Sequence, residues 1–310
     1  MNKIVSPLRA QLKPLIRPLT IVVTFSVGYF CTWAHEFTWL IRPLLIFMFY
    51  IICLQIKLPE LKIRRSHLKI LLFNIAIPTG LWGGLCLCGQ PLIAQIVFFT
   101  AVTPTANAAP VVMKFLGGKP SYVVTSFVLT NIGVSLALLF LLPLVTGRVS
   151  LPAFLDAGWN LGIIIVVPVT AALITRALFK SAPQRAAKFG GISFFLWSVT
   201  LFIIAASGSY SIAQHDEISK NYLLLIGSTT ALICVMNFVC GRWLGEPGLK
   251  REASQSLGQK NTALTIFLAL QFSDPLVALG PSFYVLWHNL WNAVQMLIHD
   301  RRIAQATIDK

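Results

Sequence analysis

Residues 254–270 read Ser-Gln-Ser-Leu-Gly-Gln-Lys-Asn-Thr-Ala-Leu-Thr-Ile-Phe-Leu-Ala-Leu, a polar run that leads into an apolar one with Lys260 between them. Each of the other lysines and arginines falls in a loop or at the end of an apolar run. A charged side chain at the centre of a bilayer costs about 2.5–3.5 kcal/mol on insertion scales. The position of Lys260 therefore predicts a functional role for its amine.

The composition of the 310-residue chain is that of a membrane protein. Hydrophobic residues make up 56% and charged residues 11%, whereas soluble domains carry about 25% charged residues. Ten apolar runs approach the length of about 20 residues with which a helix crosses a bilayer. They cover residues 16–34, 40–57, 68–88, 91–116, 121–146, 155–179, 188–209, 221–244, 253–272 and 277–298. The sequence thus predicts an all-α integral membrane protein with ten transmembrane helices.

The positive charges orient these spans. Apart from Lys260, the lysines and arginines cluster on one side of the predicted membrane, and Arg42, Arg148 and Lys220 alone lie on the other. The positive-inside rule places the richer side, with both chain termini, in the cytoplasm. We expect a multi-pass protein of the bacterial inner (plasma) membrane. The net charge of +15 does not predict a nucleic-acid partner, because the cations lie in short loops and form no binding stripe.

The usual signatures of catalysis and of metal binding are missing from the sequence. The six cysteines lie in or beside apolar runs and lack the spacing of a zinc site. No Gly-x-Ser-x-Gly nucleophile motif occurs, and no paired carboxylates fall within the apolar runs. We expect no enzymatic activity, no bound metal and no cofactor.

Two of the spans are interrupted. The fourth contains residues 103–110, Thr-Pro-Thr-Ala-Asn-Ala-Ala-Pro, whose two prolines cannot continue a helix. The ninth contains the polar run around Lys260. Each is the fourth span of its half of the chain, residues 1–150 and 151–310, and five spans per half give the halves opposite orientations. Paired interruptions of this kind predict two inverted repeats with a transport site at the breaks. Two helices that are merely kinked are the alternative.

Several segments resemble the bile acid:sodium symporter family, part of a superfamily that includes arsenite and auxin carriers. Residues 78–82, Pro-Thr-Gly-Leu-Trp, are similar to the Pro-x-x-x-Trp of the family, and residues 105–113 resemble its small-residue crossover. Residues 258–262, Gly-Gln-Lys-Asn-Thr, and 285–289, Val-Leu-Trp-His-Asn, resemble its Glu-x-Gly-x-Gln-Asn and Trp-His-Asn motifs. The layout covers the whole chain, and the motifs cover short parts of it.

The resemblance implies a core domain, at about residues 68–146 and 221–298, in which the broken helices 4 and 9 cross. It also implies a panel domain, at about residues 16–57 and 155–209, and alternating access through motion of one domain against the other. The implied function is secondary active transport of a small organic anion. The implied substrate-binding residues are Thr105, Asn107, Ala108, Ala109, Asn261, Thr262, His288 and Asn289. The residues implied for ion sites or coupling are Asn74, Thr130, Asn131, Ser256, Gln259 and Lys260.

The sequence departs from the family where sodium binds. Ser256 stands at the position of an acidic sodium ligand, Lys260 replaces a glutamine, and Phe73, beside Asn74, replaces another glutamine. Sodium sites need several oxygen donors, and carboxylates offset the charge of the ion. The loss of one acid and the gain of a cation predict that at least one sodium site is absent, so that transport does not require sodium.

Lys260 has four interpretations at this stage. Its ammonium replaces the sodium ion, or its amine titrates and couples transport to protons, or it clamps an anionic substrate, or its long side chain reaches the membrane surface. Sodium at a second site and protons thus remain the alternatives for a coupling ion.

Other functions are compatible with parts of the sequence. Metalloid efflux is one alternative, but thiolates suit a soft metalloid and the fourth span contains no cysteine. A membrane-embedded enzyme that modifies lipids with His288 and Lys260 is an alternative of another class, and a sensory or structural protein is a third.

Overall fold

The computed structural model describes residues 19–20, 23–55, 61–106, 108–148, 151–188, 190–214 and 219–308. Within these ranges the chain is helical, and no β-strand occurs there. Residues 23–30 are helical, and 3-10 helices cover Thr32–Leu40 and Pro275–Ala278. The α-helices are α1 (Ile41–Gln55), α2 (Arg65–Leu87), α3 (Pro91–Ala101), α4 (Ala109–Phe115), α5 (Pro120–Val145), α6 (Leu151–Leu178), α7 (Ala182–Lys188), α8 (Gly190–Gln214), α9 (Lys220–Leu244), α10 (Lys250–Gly258), α11 (Thr262–Phe272) and α12 (Leu279–Ile308).

Several of these helices are long and apolar enough to cross a membrane. Among the described residues there are five such segments, which are Thr32–Gln55, α2, α5, Gly158–Leu178 within α6, and α9. Shorter apolar helices are α3, Ser198–Tyr210 within α8, and α11. The all-α membrane-embedded class is therefore confirmed, whereas the number of ten spans and the division into repeats and domains remain predictions.

Helix α3 ends where the prolines of the first interruption begin. Pro104 has no N–H to continue the ladder, and Pro110 lies in the first turn of α4, where its missing N–H costs nothing. The hydroxyl of Thr103 donates to the carbonyl oxygens of Phe99, at 2.8 Å, and of Thr100, at 3.0 Å. Thr103 thus satisfies carbonyl groups that the interrupted ladder leaves free.

Helix α10 ends at Gly258 without a proline, and α11 begins at Thr262. A Cβ atom at Gly258 would lie 2.3 Å from the ring of Phe238 in α9. Because no side chain fits this space, only glycine allows α10 to approach α9 so closely. The carbonyl of Gly258 accepts a hydrogen bond of 2.8 Å from the hydroxyl of Tyr284 in α12.

The two interrupted segments, residues 102–106 and 259–261, meet and are called the crossing below. Thr105 and Lys260 form an isolated antiparallel bridge. Ala106 N donates to Gln259 O, and Asn261 N donates to Pro104 O, each at 2.8 Å. Backbone groups that leave a helix inside a membrane must find partners within the protein. The two breaks supply these partners to each other.

The chain around the crossing is closely packed. Helix α11 is buried on every side, and Leu264, Leu268 and Ala269 are inaccessible to solvent. This helix and α3 contribute to the largest hydrophobic core cluster together with residues of α1, α5 and α12. A helix that is apolar all round lies in the interior of a bundle. The packing therefore places the crossing between helices rather than against lipid.

Candidate functional site at the helix crossing

Lys260 lies at the centre of the crossing and is buried, with 1% of its surface exposed. Its Nζ donates to the side-chain oxygen of Asn74, in α2, and to the carbonyl oxygen of Ala101, at 3.1 Å. The amide nitrogen of Asn74 donates in turn to Thr103 O at 3.2 Å. Asn74 therefore joins the lysine to the end of α3, and the amine has oxygen partners without reaching the membrane surface.

The two atoms that accept hydrogen bonds from Lys260 Nζ are neutral oxygen atoms. Ala101 is the last residue of α3, and the C-terminus of a helix carries a partial negative charge of about half an elementary charge. Amide and carbonyl oxygens are also the neutral ligands that hard metal cations prefer. Among the described residues no acidic side chain forms an ion pair with Lys260. The amine therefore occupies a position built from cation-binding oxygen atoms.

A second polar cluster holds the other side of the crossing. The hydroxyl of Thr105 donates to Ser256 O at 2.6 Å and accepts from the Thr130 hydroxyl at 3.0 Å. Asn131 Nδ2 donates to Thr105 O at 3.0 Å, and Asn261 Nδ2 lies 3.4 Å from Asn131 Oδ1. Neutral donors and acceptors thus satisfy one another here, so the cluster is closed by hydrogen bonds alone.

The structure adds a contact across the crossing that sequence analysis missed. The hydroxyl oxygens of Thr103 and Thr265 are 2.8 Å apart and join the end of α3 to the first turns of α11. Both residues are fully buried. The sequence holds no signal for this pair beyond two threonines close to two breaks, because the contact depends on how the half-helices cross.

Helix α12 presents a polar stripe to α10. Its members Tyr284, His288 and Asn292 follow each other at intervals of four residues and are all buried. Asn292 Oδ1 accepts from Gln255 Nε2 at 3.1 Å, and Gln255 also donates to the side-chain oxygen of Gln259. The four-residue spacing is a helical-face pattern that could have identified Tyr284 and Asn292 from the sequence.

This stripe has unused hydrogen-bonding capacity. His288 Nδ1, Asn292 Nδ2 and Gln255 Oε1 are buried and have no partner among the described residues. Buried polar groups in folded proteins are nearly always hydrogen-bonded to protein or water. The interface of α10 and α12 beside the crossing is therefore suited to binding water or a polar ligand.

Most of the residues expected at the site lie together. The crossing joins Lys260 and Asn74 on one side with the cluster of Thr105, Thr130, Asn131, Ser256 and Asn261 on the other, and Gln259 contributes its backbone carbonyl. Ala109 and Thr262 are buried at the first residues of α4 and α11.

Two expected residues are placed differently, and a third is not described. Ala108 is exposed beside the crossing. Asn289 is half-buried, and its Nδ2 donates to Val285 O in its own helix at 2.7 Å, so it does not join the polar stripe. Asn107 lies outside the described residues.

The crossing offers hydrogen-bond donors and acceptors. Hydroxyl, amide and carbonyl groups surround one amine, and the described part of the chain holds no group of three or more His, Cys, Asp or Glu residues that could bind a metal ion. No family model matches this sequence, and no curated protein does.

Proposed function

We propose that the protein is a secondary active transporter of a small organic anion that works by alternating access, with Lys260 in place of a sodium ion. The observation that carries this proposal is the meeting of two interrupted helices at a buried amine. Interrupted helices that face each other at membrane depth are the usual construction of a transport site.

The finer architecture belongs to the same proposal. It comprises ten spans in two inverted repeats, residues 1–150 and 151–310, with a core domain around the crossing and a panel domain beside it. It also places the protein in a bacterial inner membrane with both termini in the cytoplasm. The support is the charge asymmetry of the sequence, the resemblance to the bile acid:sodium symporter family, and the equivalent positions of the two breaks.

Transport should be independent of sodium because the oxygen atoms of the crossing already accept hydrogen bonds from protein groups. Asn74 Oδ1 and Ala101 O accept from Lys260, and the threonine and asparagine groups opposite bond to one another and to backbone. A sodium ion would have to displace the amine or break these bonds, and no carboxylate is present among the bonded groups to offset its charge. A fixed cation from the chain avoids both requirements.

An organic anion suits the polar groups that remain. Helix α11 begins at the crossing, and the N-terminus of a helix favours negative charge. His288 Nδ1 and Asn292 Nδ2, which have no hydrogen-bond partner among the described residues, lie on the neighbouring polar stripe of α12. Together they provide hydrogen-bond donors for a carboxylate beside the crossing.

Uptake into proteoliposomes tests the proposal. The purified chain is reconstituted and supplied with labelled organic acids under a sodium gradient, a proton gradient, or neither. We expect saturable uptake of at least one acid at a rate that sodium does not change. Stimulation by sodium of about tenfold, equal to about 1.4 kcal/mol of coupling, would contradict the assigned role of Lys260.

The variant Lys260→Gln separates the interpretations of the amine. If Lys260 replaces an ion, Lys260→Gln is less stable in potassium buffer and regains stability in sodium buffer, whereas Lys114→Gln, at an exposed position of α4, responds to neither. If the amine couples transport to protons, the variant instead loses the pH dependence of uptake. If it clamps the substrate, the variant raises KM and its stability does not respond to sodium.

The other functions make different predictions for the same preparation. A lipid-modifying enzyme turns over in detergent, where no gradient exists, and such turnover would replace the transport proposal. A metalloid carrier would take up arsenite in preference to organic acids. Cys234, at 2% exposure, is the buried thiol on α9 that such a carrier would use, and Cys234→Ser would then abolish uptake.

A further inference from the structure

A cavity of about 320 Å³ lies away from the crossing, where α9, α10 and α12 meet the end of α4. Its walls are the stacked rings of Phe238 and Trp291, whose centroids are 4.9 Å apart, and a polar side formed by Arg242, Arg251 and His299. By the charge distribution of the sequence, these cations belong to the cytoplasmic side. None of these five residues bonds to Lys260, although Phe238 also packs against Gly258 at the end of α10.

Several hydrogen-bond donors that line the cavity have no acceptor among the described residues. Arg242 forms no ion pair or hydrogen bond with another described residue, and the buried Trp291 Nε1 has no partner there. An indole N–H can only donate, and a guanidinium has five N–H donors and no acceptor. Arg251 donates one hydrogen bond to Leu116 O, at the end of α4, and its other N–H groups have no partner among the described residues. Such a set of donors is complementary to an anion.

The acid next to Arg251 in the chain does not pair with it. Glu252 follows Arg251 on α10, and its carboxylate accepts a hydrogen bond of 3.0 Å from Lys119 N. It is not among the residues that line the cavity. The positive charge of Arg242 and Arg251 therefore acts on whatever the cavity holds.

The surroundings of the cavity indicate where its ligand comes from. Ile298 lines it and is 47% exposed, and the outer faces of α9 and α12 nearby carry the exposed apolar side chains of Trp243, Val294 and Leu297. In a membrane protein such faces contact lipid chains. The cavity thus joins a lipid-facing apolar surface to a cationic pocket at the cytoplasmic end of the helices, which is the arrangement that binds anionic headgroups.

We propose that this cavity binds the phosphate group of an anionic phospholipid of the cytoplasmic leaflet, held by Arg242, the free donors of Arg251 and the indole N–H of Trp291. The shared chemistry is a phosphate oxyanion, which a soluble organic phosphate would also offer. The lipid is favoured because the pocket continues into the apolar faces of α9 and α12. This proposal does not depend on the transport function.

The test measures lipid binding to the purified full-length protein in detergent by native mass spectrometry. Phosphatidylglycerol and phosphatidylcholine with the same chains are titrated separately, and glycerol phosphate is added as the soluble phosphate. We expect one phosphatidylglycerol molecule to bind more tightly than phosphatidylcholine, and glycerol phosphate not to displace it. Arg242→Gln should weaken the binding of phosphatidylglycerol about fivefold, the usual effect of one cation at a membrane surface.

A second variant and a control separate recognition from folding. Trp291→Phe removes the indole N–H, keeps an aromatic ring against Phe238, and should weaken binding about threefold or more. Arg148→Gln removes an exposed positive charge from the opposite side of the membrane and should leave binding unchanged. Equal binding of the two lipids, or equal effects of Arg242→Gln and Arg148→Gln, would overturn the proposal. Displacement of the lipid by glycerol phosphate would assign the pocket to a soluble anion and overturn the lipid assignment.

Discussion

The two interrupted helices of this protein are broken in different ways. Between α3 and α4 the covalent structure itself ends the helix, because Pro104 and Pro110 lack the N–H donors that a continuous ladder needs. Between α10 and α11 there is no proline, and every residue could remain helical by its own chemistry. There the helix ends where Gly258 packs against the ring of Phe238 and where Lys260 donates a hydrogen bond to Asn74.

The comparison shows that one break is local and the other depends on partners elsewhere in the fold. A local break persists when its neighbours change, whereas a break made by tertiary contacts is only as stable as those contacts. We therefore expect substitutions in the second break to cost more stability than substitutions in the first. Three predictions test this order, from the largest expected effect to the smallest, and a fourth at a surface loop outside both breaks gives the lower end of the scale.

Replacement of Lys260 by methionine should destabilise the protein most. Methionine keeps much of the volume but removes the donor, so the oxygen atoms of Asn74 and Ala101 lose a buried partner. Each unsatisfied group costs about 1–3 kcal/mol, which gives about 2–6 kcal/mol for the pair. The measurement is equilibrium unfolding in mixed micelles. Lys220→Met, at an exposed position of α9, is the control and should change the free energy of unfolding by less than about 0.5 kcal/mol.

A methyl group added at Gly258 should lower stability because it overpacks α10 against α9. Gly258→Ala places a Cβ atom 2.3 Å from the Phe238 ring, and overpacking of this kind costs about 1–3 kcal/mol. The control is Gly83→Ala in α2, where no atom lies within 4 Å of the added Cβ and the higher helix propensity of alanine should raise stability by up to about 1 kcal/mol. Equal thermal midpoints of the two variants would show that the close approach of α9 and α10 is not required.

The loss of a hydroxyl group in the first break should lower stability less than the substitutions in the second break do. Thr105→Val removes the donor to Ser256 O, and hydrogen bonds between helices in membranes are worth about 0.6 kcal/mol on average and up to about 1.7. Thr79→Val is the matched control, since its hydroxyl bonds within its own helix to Ile75 O at 2.7 Å. We expect the thermal midpoint to fall further for Thr105→Val than for Thr79→Val, but less than for either variant of the second break. A cost as large as that of Lys260→Met would remove the distinction between the breaks.

The smallest effect is expected from the loop that leads into α10. The carboxylate of Glu246 accepts from the backbone N and the hydroxyl of Ser66, each at 3.3 Å, and from Arg64 at 3.3 Å. The backbone N–H of Ser66 is the main cause that lowers the pKa of Glu246 below its ordinary value of 4.5.

A lowered pKa gives stability that is present above the ordinary value and is lost as the pH falls through the lowered one. Glu246→Gln should therefore reduce stability slightly at neutral pH and narrow its difference from the wild type below pH 4.5. Unfolding midpoints over a pH series measure this. A difference that grows on acidification would have the wrong sign for a carboxylate bound as a hydrogen-bond acceptor.

The sequence predicted both interruptions because each segment has a composition that is unusual for an apolar span, although only the first break has a local cause. The prolines of residues 103–110 and the polar run before Thr262 are visible without any knowledge of neighbours. Asn74 was expected at an ion site, and in the structure its side-chain oxygen accepts a hydrogen bond from Lys260. The same pattern predicted that Lys260 is buried, because the apolar run that begins two residues later places it far from the membrane surface.

The partners across helices could not be predicted in the same way. His288 and Asn289 were expected to line one cavity, but neighbouring residues on a helix point about 100° apart, so only His288 joins the stripe with Tyr284 and Asn292. The four-residue spacing of Tyr284, His288 and Asn292 indicates that they share one face of α12, but it does not indicate which helix that face contacts.

The backbone hydrogen bonds of the crossing can form only after the second break has been synthesised. When the ribosome has delivered the first break, Ala106 N and Pro104 O have no partner until residues 259–261 emerge, about 10–30 s later at ordinary translation rates. During that interval the half-made chain exposes two unpaired peptide groups beside lipid. A protein of this design needs the insertion machinery to shelter its first half until the second arrives.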